Sequence, residues 1–161
     1  MRVSDILKSK GGTLYTVAPD EPLANCVITM ADQDLGSLVV MDGQKLVGVL
    51  TFREVIRVLA DRHKALPNGP VPPVAEMPVS RVMNSTPVVA SPDTELHDLR
   101  ALMLDHHQRY LPVMDGPVLL GVISFHDVAR SVYEEQSFEN QMLKSYIRDW
   151  PSEGSSVSQG S

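Results

Sequence analysis

Residues 38–43 read Leu-Val-Val-Met-Asp-Gly, and residues 111–116 read Leu-Pro-Val-Met-Asp-Gly. Gly48-Val49 follows the first block and Gly121-Val122 follows the second at the same distance. Working outward at this shift of 73, Pro19-Asp20 falls on Pro92-Asp93, Leu23 on Leu96, Met30 on Met103 and Asp32 on Asp105. Leu46 falls on Leu119, Phe52 on Phe125, Val55 on Val128 and Arg57 on Arg130. Sixteen of the 39 gapless positions from 19 to 57 are identical. That is far above chance, so the chain carries a duplication. A unit of this length present twice implies two half-units around a pseudo-twofold axis.

Each copy predicts the order β-α-β-β-α. In the first, a short helix at 3–8 precedes a strand at 14–17. Pro22 suits a helix start, where its missing N–H costs nothing. Leu23, Cys26, Val27, Met30 and Ala31 then recur at helical spacing. The apolar run 37–41 reads as a buried strand, Asp42-Gly43 as a tight turn, and 45–50 as the returning strand. A helix follows from Phe52 to about Arg62. The second copy predicts a short helix at 79–83, strand 88–90, helix 94–107, strand 110–114, a turn at Asp115-Gly116, strand 118–123 and a helix from Phe125.

This organisation predicts a first unit at 3–64 and a second at 79–133. Residues 65–78, with five prolines and one glycine, read as the linker. Phe138, Met142, Leu143, Tyr146 and Ile147 form an apolar stripe on a terminal helix at 134–150. The Ser/Gly-rich 151–161 reads as a disordered tail. The expected class is α+β: two β-α-β-β-α units about a pseudo-twofold axis, with a C-terminal helix extension.

Composition narrows the function. The chain has 161 residues, 43% hydrophobic but only 5% aromatic, so an aliphatic core is expected. Fourteen Lys+Arg against twenty Asp+Glu give a net charge of −6. Without a basic cluster, duplex nucleic acid is a poor partner. A single cysteine, Cys26, leaves no intramolecular disulfide, CxxC pair or multi-thiolate zinc site. It lies on the apolar stripe of its helix and reads as a core thiol. His106 and His107 are adjacent and point about 100° apart on a helix, so they share an ion poorly. No metal site is expected. Most of the methionines sit at core positions and read as gap-fillers. There is no apolar run of membrane-spanning length and no secretory signal at the N-terminus, so a soluble cytoplasmic protein is expected.

Two copies of an apolar strand, an Asp-Gly turn and G-h-h-[ST]-x-x-D resemble a tandem pair of cystathionine β-synthase (CBS) domains, a Bateman module. The resemblance rests on residues 35–42 with 45–51, and on 109–115 with 120–127. It is similar in particular to the stand-alone bacterial CBS-pair proteins. There a glutamate-rich helix follows the module, as Tyr133-Glu134-Glu135-Gln136-Ser137-Phe138-Glu139-Asn140 would here. The resemblance implies a sensor of adenosyl compounds such as AMP, ATP, NAD(H) or S-adenosylmethionine. It implies no catalysis, a flat homodimer, and signalling to an unknown regulated protein.

The candidate site starts at Ser124-Phe125-His126-Asp127. A strand ends and a helix begins there, exposing unpaired N–H groups and a positive dipole end that suit a phosphate. Ser124 can donate to that phosphate, and the family's aspartate holds a ribose edge. The same residues read as a capping box, and the two roles can coexist. In CBS pairs this aspartate generally faces the other unit, which implies Lys10, Gly12, Thr13, Tyr15, Gly36, Ser37 and Leu38 as partners of Ser124, His126 and Asp127. Small residues at Gly36 and Ser37 would let a ring approach the backbone. Gly11-Gly12 reads equally as a flexible loop.

A second cleft would use Thr51, Arg53, Glu54, Thr86, Pro87, Arg109, Tyr110 and Leu111. Glu54 stands where the family has aspartate, so this cleft is expected to be the weaker. Arg53 and Arg109 read either as phosphate partners or as solvated charges. Nothing supplies a nucleophile, P-loop or acid–base pair. The rival to the sensor reading is an interaction or oligomerisation scaffold without a ligand.

Overall fold

The computed structural model describes residues 1–69 and 73–148. Helix α1 spans Val3–Lys10, strand β1 Thr16–Val17, helix α2 Leu23–Asp32, strands β2 and β3 Ser37–Asp42 and Lys45–Thr51, and helix α3 Phe52–Ala65. In the second copy, helix α4 spans Leu96–His106, strands β4 and β5 Tyr110–Asp115 and Val118–Ser124, and helix α5 Phe125–Arg148. The expected tail at 151–161, residues 149–150 of the terminal helix and 70–72 of the linker lie outside the described residues. The described part of the linker holds 3-10 turns at Leu66–Asn68 and Val74–Glu76.

The hairpins carry the repeat. β2 runs antiparallel to β3 and β4 to β5, and both ladders shift register after the same repeat position, Val40 and Val113. The turns centre on Gly43-Gln44 and Gly116-Pro117, one residue beyond the expected Asp-Gly pairs. Gly43 and Gly116 have φ of 62° and 56°. A glycine with positive φ at the first of two loop residues is the type II′ pattern, which matches the twist of a hairpin.

The expected first strands differ. β1 pairs parallel with β2 through Thr16↔Val39 and Val17↔Val40. Its counterpart at 88–90 is reduced to one parallel bridge, Ala90↔Val113. The cause is Pro112, which occupies the repeat position of Val39. Its carbonyl accepts from Ala90 N at 2.9 Å, but it has no N–H to return, so the ladder stops there. The expected helix at 79–83 is likewise only a 3-10 turn, Val79–Arg81.

The leading segments are exchanged between the units. α1 buries Val3 and Ile6 among Leu99, Met103, Leu111, Val113, Ile123 and Val128, all of the second copy. Val79 is buried among Leu23, Cys26, Met30, Leu38, Val40 and Leu50 of the first. The backbone bonds match pairwise. Val3 N donates to Thr94 O (2.9 Å) and Ser4 N to Pro92 O (3.0 Å), while Val79 N donates to Glu21 O (2.8 Å) and Ser80 N to Pro19 O (3.0 Å). Thr94 and Glu21 are repeat mates, as are Pro92 and Pro19. Each core is therefore completed by residues that precede the other copy in sequence. A fully buried aliphatic side chain contributes about 1.5–3 kcal/mol, so the crossing segments tie the two units together.

Candidate functional site

Between the units lie two clefts. The first, of about 1180 Å³, runs from the end of α1 to the start of α5. Ser124, His126, Asp127, Lys10, Gly12, Thr13, Tyr15, Gly36 and Ser37 all line it, as expected, together with Asp34, His107 and Arg109. Leu38 does not. It is 1% exposed, inside the core of the first unit. Alternation explains the miss: Ser37 faces the cleft, so its neighbour on the strand faces the core.

Ser124 and Asp127 form the capping box. Asp127 N donates to Ser124 Oγ at 3.0 Å, and Ser124 N donates to Asp127 Oδ2 at 2.9 Å. Lys10 adds a third element. Its Nζ donates to the same Oδ2 at 2.8 Å and to the carbonyl of Val122 at 2.9 Å. Burial works to raise the Asp127 pKa, but the hydrogen bonds from Lys10 and Ser124 outweigh it and hold the carboxyl below its ordinary value. Among the described residues Oδ1 has no donor, so it is the oxygen free to accept from a ligand hydroxyl.

Two further side chains shape this cleft. The Tyr110 phenol covers Gly36, where any Cβ would meet its hydroxyl. The ring that approaches the Gly36 backbone is thus the protein's own. Tyr15 donates its hydroxyl to Gln33 Oε1 at 2.8 Å. Asp34 and His107, repeat mates just past the ends of α2 and α4, both take φ of 54°. The sequence reading missed both.

The second cleft, of about 840 Å³, is lined by the expected Thr51, Arg53, Glu54, Pro87, Arg109 and Tyr110, and also by Arg57, Asp61 and Arg81. Leu111 is the repeat mate of Leu38 and, for the same reason, is fully buried in a core. Thr86 also falls outside the cleft lining; its N–H donates to Asn84 Oδ1 at 3.0 Å in a local turn. Glu54 closes its own capping box: its Oε1 accepts from Thr51 N and Thr51 Oγ, both at 2.8 Å. Arg53 donates to the carbonyl of His107 at 3.4 Å. Among the described residues no lysine pairs with Glu54 as Lys10 pairs with Asp127. On this side Asn84 pairs its backbone with Val49 in both directions (2.9 and 3.0 Å).

Among the described residues no cluster of His, Cys, Asp and Glu is placed to hold a metal ion. Cys26 is buried, and burial pushes its thiol up to about 11, with Glu21 adding to the effect. No helix among the described residues is long and apolar enough to cross a membrane.

Comparison with known proteins places these clefts in context. The CBS domain family matches residues 3–61 and 79–134. An uncharacterized 17.7 kDa protein of Acidianus ambivalens is 29% identical over 140 residues, covering 86% of this chain and 77% of that protein. The crystal structure of a CBS-domain containing protein from Agrobacterium tumefaciens superposes with a TM-score of 0.72 at 26% identity, covering 81% of this chain and 98% of that one. At the level of fold, the CBS domain pair of protein MJ0100 (TM-score 0.69, 18% identity, 84% and 98% covered) was solved with 5′-methylthioadenosine and S-adenosyl-L-methionine. A CBS domain protein from Pyrobaculum aerophilum (0.65, 20%, 79% and 89%) was solved with AMP.

Proposed function

The chain belongs to the CBS domain family, and from that premise we propose that it is a regulatory module binding an adenosyl compound in the cleft of Ser124 and Asp127. The observation that carries the reading is the carboxylate of Asp127. It is held charged at a helix N-terminus, beside a cationic lysine, with one oxygen still open toward a cleft of ligand size. Pockets for small molecules span about 300–1,000 Å³. Such a carboxylate suits a ribose diol, and the N–H groups of α5 with Lys10 suit a phosphate. AMP, ATP, NADH and S-adenosylmethionine define the ligand class.

Signalling follows by differential affinity: a ligand shared by both units favours one arrangement of them, and a partner protein reads that arrangement. The module acts as a homodimer in this proposal. Phe52, Ile56 and Leu59 form an exposed apolar stripe along α3, and Tyr133, Phe138, Met142 and Tyr146 another along α5. A patch of that kind marks a contact surface. A cytoplasmic location belongs to the same proposal. No catalytic step is assigned.

A scaffold without a ligand is the second reading, favoured by Tyr110 over Gly36 and by Lys10 on Asp127. Thermal melting with the four compounds separates the two. Ligand at one hundred times its dissociation constant stabilises the fold by about 2.7 kcal/mol, which moves the melt by several degrees. No shift with any of them at millimolar concentration leaves the scaffold. Light scattering reads the dimer: a monomer mass at micromolar concentration, with and without ligand, contradicts it.

A further inference from the structure

The two clefts share one wall. His107, Gln108, Arg109 and Tyr110 line both of them, whereas Gly36 lines only the first. The backbone of this wall is pinned. Arg109 O accepts from Phe125 N at 2.7 Å, Gln108 N donates to Met103 O at 3.1 Å, and Gln108 Oε1 accepts from Val88 N at 3.1 Å. Tyr110 then pairs with Ser124 in the β4–β5 ladder. The Tyr110 side chain is not held in the same way. Its ring reaches across to the other unit and closes on Gly36. Among the described residues its hydroxyl has no hydrogen-bond partner, unlike that of Tyr15.

Gly36 does not owe its identity to the backbone. It is not among the glycines with positive φ, and its repeat mate, Arg109, carries a long side chain at the same place in the fold. What glycine supplies at 36 is room, because a Cβ there would overlap the Tyr110 phenol. The duplication also makes the contact one-sided. The repeat mate of Tyr110 is Ser37, which has no ring to send back to Arg109. We propose that Tyr110 is a movable plug between the clefts: its ring fills the socket at Gly36 that a ligand ring in the first cleft needs, and swings into the second cleft when such a ring enters. The proposal rests on the adenosyl reading of the first cleft. A tyrosine ring turns on two side-chain torsions, so the plug moves while the wall keeps its bonds. The second cleft is the space that Tyr110 borders on its other side. A ligand in the first cleft therefore narrows the second. By linkage, a ligand in the second holds the plug on Gly36 and opposes binding in the first to the same degree. The plug also sets a threshold. An open state held to about 10% or less of the population weakens the apparent affinity about tenfold or more.

Calorimetry with adenosine on the full chain is the first test. Tyr110→Ala vacates the socket and should tighten adenosine about tenfold or more. Tyr110→Phe keeps the ring and should not show this gain. Weaker binding by Tyr110→Ala would make the ring a stacking partner and overturn the proposal, and so would an unchanged affinity. The second test needs no ligand. The chain has four tyrosines, which give fluorine resonances when incorporated as 3-fluorotyrosine, and Tyr110→Phe assigns the one at 110. Gly36→Ala should move that resonance, because its Cβ expels the ring, and adenosine should move it in the unsubstituted chain. No movement with Gly36→Ala overturns the plug. A nitroxide attached after Arg57→Cys, in the second cleft, reads where the ring goes, since Cys26 is buried. Gly36→Ala should then broaden the Tyr110 line further, and a line no broader overturns the coupling of the clefts. If neither the unsubstituted chain nor Tyr110→Ala binds adenosine while Gly36→Ala still moves the ring, the adenosyl reading fails and the movable ring is supported. If adenosine binds and the Tyr110 resonance stays in place, only the plug fails.

Discussion

Lys10 Nζ lies 2.8 Å from Asp127 Oδ2 although 117 residues separate them. The contact exists because α1 is exchanged onto the second unit and because the first copy carries extra residues. Val3-Ser4 aligns with Val79-Ser80 at a shift of 76, whereas the strands and helices that follow align at 73. The three additional residues fall at Lys10-Gly11-Gly12. Gly11 and Gly12 take φ of 60° and 98° with open space where a Cβ would be. That backbone suits glycine and lets the helix end with its lysine aimed at the cleft.

Lys10 therefore has two anions to choose between when a phosphorylated ligand arrives. A ligand without phosphate offers it none. We expect Lys10→Met to weaken AMP while leaving adenosine unchanged or slightly tighter, so that the preference for AMP over adenosine narrows about tenfold. Calorimetry with both ligands measures the ratio. An unchanged ratio removes Lys10 from ligand recognition.

Asp127 and Glu54 occupy matching positions and should answer differently to alanine. A charged acceptor bonded to a hydroxyl contributes about 1.5–3 kcal/mol. Asp127→Ala should therefore reduce adenosyl binding about ten- to hundredfold, and Glu54→Ala should change it little. Both variants also lose a helix-cap partner, at a cost of about 1 kcal/mol, so circular dichroism and melting must show that they remain folded. A folded Asp127→Ala protein with full affinity would place the adenosyl site elsewhere.

Much of this was legible in the sequence, because duplication supplies its own alignment. The hairpins and the capping boxes follow from matching one copy to the other, and most residues of the first cleft from the resemblance to CBS pairs. What failed was local geometry that a motif does not carry. Leu38 and Leu111 follow Ser37 and Tyr110 on their strands, and because a strand sends neighbours to opposite faces both are buried in the cores and not in the clefts. The loss of the strand at 88–90 was signalled by Pro112 and not used. The Tyr110 ring over Gly36 joins two units and had no sequence signal. The exchange had none either: the change of shift from 76 to 73 between the leading segments and the strands marks only the three extra residues of the first copy.

The Lys10–Asp127 pair should show itself in acid. The Asp127 carboxyl is held below the ordinary aspartate value by its hydrogen bonds from Lys10 and Ser124. The stability this contributes is fully present above that unfolded-state value and is lost as pH falls through the lower folded-state value. Lys10→Met removes a main cause of the depression. The melting temperatures of the two proteins should then differ by a constant amount near neutral pH and converge in acid. The pair is partly solvated, with the lysine side chain 37% exposed, so the difference should be modest. A gap that stays constant down to about pH 2 would mean that Lys10 stabilises by contacts other than the charge pair.

The exchange of leading segments predicts which core a mutation loosens. Ile6 precedes the first copy in sequence but is 3% exposed within the second core. Ile6→Ala should cost about 2–5 kcal/mol. The effect should be felt first at the amides of Leu99, Leu111 and Ile123. Val79 sits in the first core, so Val79→Ala should act first at Cys26, Leu38 and Leu50. Native-state hydrogen exchange reads the two patterns, because sub-global opening exposes each core at its own free energy. If each segment supported the copy it precedes, the patterns would be reversed. If both variants lowered protection equally in both cores, the units would open only together, and the crossing segments would be the reason: neither core can be exposed without withdrawing a helix or turn from the other unit's chain.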